Sequence, residues 1–454
     1  MKIVIAGASG FVGSHLIAAL KGQHEIRALS RRTRPSKDNV EWLQCDLFSQ
    51  LDLGKALAGA DVAIYLIHSM LPSARLTQGS FRDFDMILAD NFARACVASK
   101  VRKIIYLSGI IPPDAVLSEH LQSRLEVENI LKASGIPISC LRAGLIIGPG
   151  GSSFEMMLRL VRRLPMMICP YWTSTLSYPV SIWDVVEIVK HRIENYAGEG
   201  PETLDLCGPD ALSYEEMMRH LSRILNKNHL FLPIPFVSPS LSKLWVRLIT
   251  GAPKDLVYPL VDSLKTHMIP LCPKAPALDF IQPMGFDAAL ERSLKEMSTG
   301  QKPNAFSYTG AQQDSNVRSV QRVTTLFRSD VASVAKSYFS WLGKALSPLV
   351  QLGVSGDVYT LSVRFLRQPL LVMERSVERS TRDRELFYIR GGLLARPSPR
   401  ARLEFRDIYL GLYKIIAIHD YRPRLPWFFY KYTQALVHLR VMRAFGTFLI
   451  REKL

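Results

Sequence analysis

The 454-residue sequence predicts an α/β chain: helices wound on both faces of a parallel sheet, then a smaller substrate-side lobe, then a separate α+β C-terminal domain. Three observations carry this expectation. From residue 1 to about 145, short β-rich runs alternate with helix-length amphipathic segments, which implies a parallel sheet covered on both faces. A glycine-rich turn follows the first run directly. Beyond residue 318 the alternation gives way to clustered strands and one terminal helix, and the charge balance changes.

The predicted strands are KIVIA (2–6), EIRALS (25–30), VEWLQC (40–45), DVAIYLI (61–67), KIIYLS (103–108) and ISCLRA (138–143). Between them, Phe11, Val12, Leu16, Ile17 and Leu20, and later Leu121, Leu125, Ile130 and Leu131, recur at helical spacing. Within a first domain of residues 1–298, residues 150–298 are less regular and form the substrate-side lobe. That lobe holds a helix at 182–195, a strand at 203–207 and a helix after Ser213. Residues 299–317 are polar and aperiodic, and read as a linker. A domain at 318–454 then opens with a helical stripe over 322–345 (Phe327, Val331, Val334, Tyr338 and Trp341), continues in strand-like segments, and ends in a helix over 426–451. The order predicts a curved sheet wrapped on a long C-terminal helix.

A hydrophobic fraction of 48% with 21% charged residues excludes collagen-like and wholly disordered chains. The formal charge of +17 is uneven. Residues 301–454 hold 25 Lys and Arg against 11 Asp and Glu, a balance of +14, which leaves +3 for residues 1–300. A basic C-terminal domain suits an anionic membrane surface or an acidic protein, and equally a solvated Arg-rich sheet. No nucleic-acid-reading motif accompanies the charge, so nucleic acid is not an expected partner. Six scattered cysteines without a C-x-x-C pair read as reduced, mostly buried thiols. The apolar run of MKIVIAGASG ends too soon for a signal peptide. A cytoplasmic location, with peripheral contact at the inner membrane surface, is the expectation.

The strongest local signal is Gly7-Ala8-Ser9-Gly10-Phe11-Val12-Gly13, a G-x-x-G-x-x-G after the first strand and at the start of a helix. Glycines allow a tight turn and close backbone approach to a pyrophosphate, and the helix start offers free N–H groups to it. The motif thus predicts a Rossmann-type dinucleotide site made by Gly7, Ser9, Gly10, Phe11, Val12 and Gly13. The second strand ends in Ser30-Arg31-Arg32-Thr33-Arg34 with no acid at its tip. Arginine there accommodates a 2′-phosphate, so Arg31 and Arg32 favour NADP over NAD. Asp46-Leu47 after the third strand suits an adenine-edge contact. No metal site is expected.

With these motifs the first 298 residues resemble the atypical short-chain dehydrogenase/reductase superfamily, in its extended and NmrA-like branches. GASGFVG, Asp46-Leu47, YLSG (106–109), LRAGLIIGPGG (141–151), PVSIWDVV (179–186) and LCGPDALSYEEM (206–217) follow that family's order. YLIHSM (65–70) and LPIPF (232–236) resemble a bacterial group with a C-terminal extension, and the last third resembles helix-grip-like domains. The resemblance implies that Ile67, Ser108, Ala143 and Gly144 also line the cofactor.

It further implies a Tyr-x-x-x-Lys after the fifth strand, the Tyr as general acid and the Lys lowering its pKa. The corresponding segment here is His120-Leu121-Gln122-Ser123-Arg124, and no tyrosine of the chain has lysine four positions later. Ser108 matches the start of the family's serine segment, but Gly109 and Ile110 follow it. Two readings stay open. In one, His120 donates the proton and Arg124 binds ribose or substrate oxygen, giving a reductase of an apolar carbonyl or enone. In the other, the cofactor is bound without turnover and the protein is a redox sensor or scaffold. His120 also fits an exposed helix position, and His68 fits either a nicotinamide contact or a core imidazole.

Overall fold

The structure, a computed structural model, describes residues 1–452 apart from 70–75, 114–115, 196–197, 199, 235–237, 273–277, 300–315 and 324–329. Its contacts divide the chain into two compact units, residues 1–71 with 91–308, and residues 72–90 with 309–454. Continuity along the sequence does not suggest the assignment of residues 72–90.

In the first unit, β1 (Lys2–Ala6), β2 (Glu25–Ser30), β3 (Val40–Gln44), β4 (Val62–Tyr65), β6 (Lys103–Gly109) and β7 (Ile138–Ala143) join the strand Glu202–Leu206. They form a seven-stranded sheet ordered β3-β2-β1-β4-β6-β7 and then 202–206. Every neighbouring pair is parallel. Ile3, Ile5, Ile26, Ala28, Ile64, Ile105 and Leu141 are fully buried, as strands covered on both faces require. The flanking helices include α1 (Phe11–Leu20), α2 (Gln50–Leu57), α4 (Glu119–Lys132) and α6 (Ile182–Asn195). Leu16 and Leu20 of α1 share a core with Ile182, Val185 and Val189 of α6. Strand order reverses at β1, which has β2 on one side and β4 on the other, so the turn after β1 opens on a crevice. All six predicted strands are present, and the strand predicted at 203–207 is the seventh.

The lobe packs α5 (Ser152–Arg163) against α7 (Tyr214–Ile224) and α8 (Pro239–Thr250), with α10 (Phe286–Thr299) on α7 and α9 (Lys254–Ser263) beside α8. Phe154, Met157, Met217, Leu221, Phe286 and Leu290 form its core. Three carboxylates fix its connections. Asp184 accepts the Met284 N–H at 2.9 Å, Asp205 that of Leu271 at 2.7 Å, and Asp210 that of Phe286 at 2.7 Å. Ser213 and Glu216 form a reciprocal cap that starts α7, the helix predicted after Ser213.

The second unit is an eight-stranded sheet, in the order 350–355, 358–363, 371–375, 384–391, 402–408, 413–421, 317–323 and β5 (Leu76–Gln78). Its strands are antiparallel except at the last pair, where β5 runs parallel to Val317–Val323. The first part of α3 (Phe81–Ala98), up to Asp90, belongs to this unit. One face of the sheet carries Phe387, Leu403, Phe405 and Ile416, which pack with Val334, Tyr338 and Phe339 of α11 (Val331–Ala345) and with Phe445 and Leu449 of α13 (Gln434–Arg451).

The alternate positions of the same strands are charged. Arg384 pairs in register with Arg406, and Arg402 with His419. These four and Glu404 are all buried, so the expected solvated Arg-rich sheet is in part an interior ionic network. Glu404 Oε1 accepts from Arg384 Nε at 2.8 Å and from Arg406 Nε at 2.6 Å. Although burial opposes ionisation, Arg406 and Arg384 hold its carboxyl well below the usual carboxylate range. Arg406 also donates to Asp90 at 2.9 Å, and Arg318 to Asp420 at 3.1 Å. Burial and the neighbouring Arg402 push His419 down to about 4, so it is neutral in this network at neutral pH.

Two expectations about this unit change. The helix expected over 322–345 begins only at Val331, capped by the Asp330 carboxylate on the Ser333 N–H at 2.6 Å. Residues 322–323 end the strand Val317–Val323, which pairs with 413–421, and Phe327 of the expected stripe lies outside the described residues. The helix expected over 426–451 is two helices, α12 (Trp427–Tyr432) and α13, separated at Thr433 with φ −125° and ψ −86°. Of the expected linker, residues 300–315 lie outside the described residues, and Val317 already belongs to the sheet.

Because Arg406 is buried, removing one of its carboxylate partners leaves charge without compensation. Asp90→Ala is expected to lower the unfolding free energy by about 3 kcal/mol, measured by urea denaturation, with a smaller loss in Asp90→Asn.

Candidate functional site

The glycine turn is shaped by three different constraints. Gly7 has φ +91°, and a Cβ there would lie 2.9 Å from the Leu66 carbonyl oxygen. A Cβ on Gly13 would lie 2.4 Å from the Gly7 carbonyl oxygen, so α1 could not pack on the turn. Gly10 is different. Its φ of −81° suits any residue, and a Cβ would meet only the Gly7 oxygen, at 3.2 Å. Packing at position 10 is therefore tight but would yield to a shift of a few tenths of an ångström, and a ligand backed against the turn would make the stronger demand for glycine.

Gly10 is the N-cap of α1, no side chain caps that helix, and its first turn has no acid. The opening N–H groups and the positive end of the helix dipole suit an anion. Phe11 turns its side chain elsewhere: a Cβ on Gly148 or Gly151 would come within 3.0 Å of its ring. The GPGG segment thus seats Phe11, and the contribution of Phe11 to an anion site is its backbone N–H. Val12 packs against the core of the sheet.

The second-strand arginines sit just past β2. Arg31 and Arg32 are exposed, and the Ser30 hydroxyl accepts the Arg32 N–H at 3.2 Å. After β3, Asp46 accepts the Phe48 N–H at 3.2 Å, and the carbonyl of buried Leu47 accepts from Asn91 at 2.9 Å. At the end of β6, the Ser108 hydroxyl is buried and has no hydrogen-bond partner among the described residues. That orphaned oxygen and the Gly10 opening fit a dinucleotide laid across the carboxyl ends of the strands.

The expected catalytic residues do not all converge. Arg124 is buried and donates to the Ile67 carbonyl at 3.3 Å, so its guanidinium anchors the turn after β4. His68 is exposed, which removes the core-imidazole reading. His120, in the first turn of α4, lines a cavity, and its Nδ1 is buried without a partner among the described residues. Burial, then the charges of Arg124 and His68, push its pKa down to about 3. It is therefore a neutral imidazole at physiological pH, so any proton it gives to a substrate comes from a neutral N–H.

The cavity measures about 160 Å³. It is lined by Gly109 and Ile110 at the end of β6 and Ala143 and Gly144 at the end of β7, and extends between Met156, Met157, Trp172, Trp245, Val246 and Met268. Besides His120, its polar groups include Tyr214 and Trp245. Burial, partly offset by Ser177, pushes the Tyr214 phenol up to about 12, so it stays protonated, and the Trp245 Nε1 is buried without a partner among the described residues. Sequence reasoning missed Tyr214, Trp172 and Trp245. The capping pattern Ser213-Tyr-Glu-Glu216 placed Tyr214 on a helix, but no local signal shows that helices α5, α7, α8 and α9 enclose one space.

Comparison with known proteins agrees with this geometry. Residues 7–157 match the NAD(P)H-binding family. The auxiliary protein GraX of Staphylococcus aureus is 37% identical over 111 residues, 24% of this chain and 36% of that protein. An isoflavone reductase homolog of Zea mays is 29% identical over 162 residues, 33% of this chain and 50% of that protein. The chain thus spans half or less of the length of these curated relatives. A crystal structure of a nucleoside-diphosphate-sugar epimerase from Staphylococcus aureus shares the fold with a TM-score of 0.51 at 18% identity, covering 64% of this chain and all of that one.

The three glycines are expected to separate on substitution. Gly10→Val should melt within a few degrees of the parent yet lose more than about a hundredfold in nicotinamide-cofactor affinity, read by fluorescence, because its side chain fills ligand space. Gly13→Val should lower the melting temperature itself.

Proposed function

We propose that this NAD(P)-binding protein, of the atypical short-chain dehydrogenase/reductase type, is an NADP(H)-dependent reductase of an apolar carbonyl or enone compound. The observation that carries this reading is the apolar cavity at the carboxyl ends of β6 and β7, with His120 facing into it. Pockets that orient a substrate through a few polar groups on an apolar wall are typical of small-molecule sites.

The residues divide into two sets. Gly10 and the start of α1 would hold the pyrophosphate, Arg31 and Arg32 the 2′-phosphate, and Ser108, Ala143 and Gly144 the nicotinamide end. When bound, the cofactor supplies a hydride to the carbonyl carbon. Neutral His120 donates an N–H to the substrate oxygen, where negative charge develops. The phenolic proton of Tyr214 passes to that oxygen, since a phenol remains more acidic than an alcohol, and water restores it. The apolar walls exclude bulk water and select a hydrophobic substrate.

A second reading is favoured by a specific observation: Arg124 stands where the family has its lysine, and its guanidinium is engaged by the Ile67 carbonyl. The chain would then bind cofactor without turning it over, as a redox sensor or scaffold. Titration with NADPH, followed by its consumption against a panel of long-chain aldehydes and enones, separates the two.

NADPH is expected to bind more tightly than NADH, and changing Arg31 and Arg32 to Ala should remove about ten- to a hundredfold of that preference by calorimetry. His120→Ala should lower kcat by about a hundredfold with NADPH affinity unchanged. Since the folded pKa of His120 lies near 3, below its ordinary 6.5, the parent kcat/KM should show no histidine titration between about pH 5 and 8.

A further inference from the structure

We infer that α12, the turn before it and the outer face of α13 form a surface that binds an anionic lipid bilayer. This assignment is independent of the reductase reading.

The evidence begins with what α12 hides and what it leaves out. Tyr430 is 3% exposed, and Trp427 packs on the core of the second unit. On the other side of the same short helix, Phe428 is 68%, Phe429 59% and Tyr432 56% exposed. Rings 428 and 432 lie 5.1 Å apart, and the Lys431 ammonium sits 5.3 Å from the Tyr432 ring centroid. Leu425 before the helix and Leu436 and Val437 at the start of α13 are exposed as well, and Ile450 is exposed near the far end of α13. Single exposed apolar side chains are ordinary, but a contiguous group built round three large rings is characteristic of an interaction site.

Charge identifies the occupant. From residue 421 to 452 the basic residues are Arg422, Arg424, Lys431, Arg440, Arg443 and Arg451, all exposed, and the acidic side is Glu452 alone. Along α13 the exposed positions mix Leu436, Val437 and Ile450 with Arg440, Arg443 and Arg451, while Ala435, Met442, Phe445 and Leu449 face inward. Aromatic rings settle at the boundary between head groups and acyl chains, and basic side chains meet anionic head groups there. Each basic residue near such a surface strengthens binding by about fivefold. No helix among the described residues is long and apolar enough to cross a membrane, so the contact is one of surface.

The test uses the full chain and sedimentation with phosphatidylcholine vesicles, with and without phosphatidylglycerol, at low and high salt. The protein should pellet with the anionic vesicles at low salt and be released by high salt. A Phe428→Ser, Phe429→Ser, Tyr432→Ser variant should lose roughly tenfold or more in vesicle affinity, and Lys431→Glu with Arg440→Glu and Arg443→Glu should lose at least as much. These side chains are exposed, so melting temperature and cofactor binding should match the parent. Failure of the parent to pellet at low salt overturns the assignment. So does binding to soluble polyglutamate as tight as to vesicles and unaffected by loss of the rings, which would give the surface to an acidic protein.

Discussion

The first unit depends on backbone passing backbone at the end of β1. The Gly7 carbonyl lies under α1, Gly7 itself lies against the Leu66 carbonyl, and neither approach leaves room for a Cβ. This crowding sets the angle at which α1 leaves the sheet and directs its uncapped N-terminus into the crevice where strand order reverses. A helix end with unsatisfied N–H groups is costly unless water or a ligand meets it. The same turn therefore determines both the packing and the place of the anion.

Around that turn, side chains are used twice. The glycines at 148 and 151 make room for the Ile182 side chain and the Phe11 ring and bring the loop after β7 against the start of α1. Asp184, Asp205 and Asp210 each accept a backbone N–H from a distant segment of the lobe. A carboxylate bound to backbone amides is a strong, directional tie, and three of them hold the lobe where its helices close over β6 and β7. The cavity follows from those ties, and His120 is neutral because it is buried there and the charges of Arg124 and His68 oppose its own.

The second unit works under a different constraint, a sheet with one aromatic and one ionic face. The rings of Tyr338, Phe339, Phe387, Phe405 and Phe445 fill the aromatic side, several in edge-to-face contact. On the other, Glu404 offsets arginines that could not otherwise be buried. Buried guanidinium groups demand carboxylates at fixed positions, and Asp90, far away in sequence, is one of them. Among the described residues, Arg318, Arg384, Arg402, Arg406 and Lys414 are thus buried beside carboxylates, while the basic residues from 422 to 451 remain at the surface.

How much was legible follows from the range of each interaction. The strands of the first sheet, the glycine turn and the capped start of α7 are local: an apolar run between turns, a G-x-x-G-x-x-G and a Ser-x-x-Glu each act within a few residues, and the sequence alone determined them. That no tyrosine has lysine four positions later was equally plain. What only the tertiary structure decided rests on pairs distant in sequence. β5 joins Val317–Val323 across some 240 positions, with no alternation in a three-residue strand to announce it. The sheet at 402–421 alternates apolar with charged residues, which reads as one face in water, yet its charges are buried because their partners arrive from other strands and from α3. His120 read either as a proton donor or as an exposed helix residue, and is a neutral group lining a cavity because a proton's affinity is set by the dielectric and charges around it, which folding supplies.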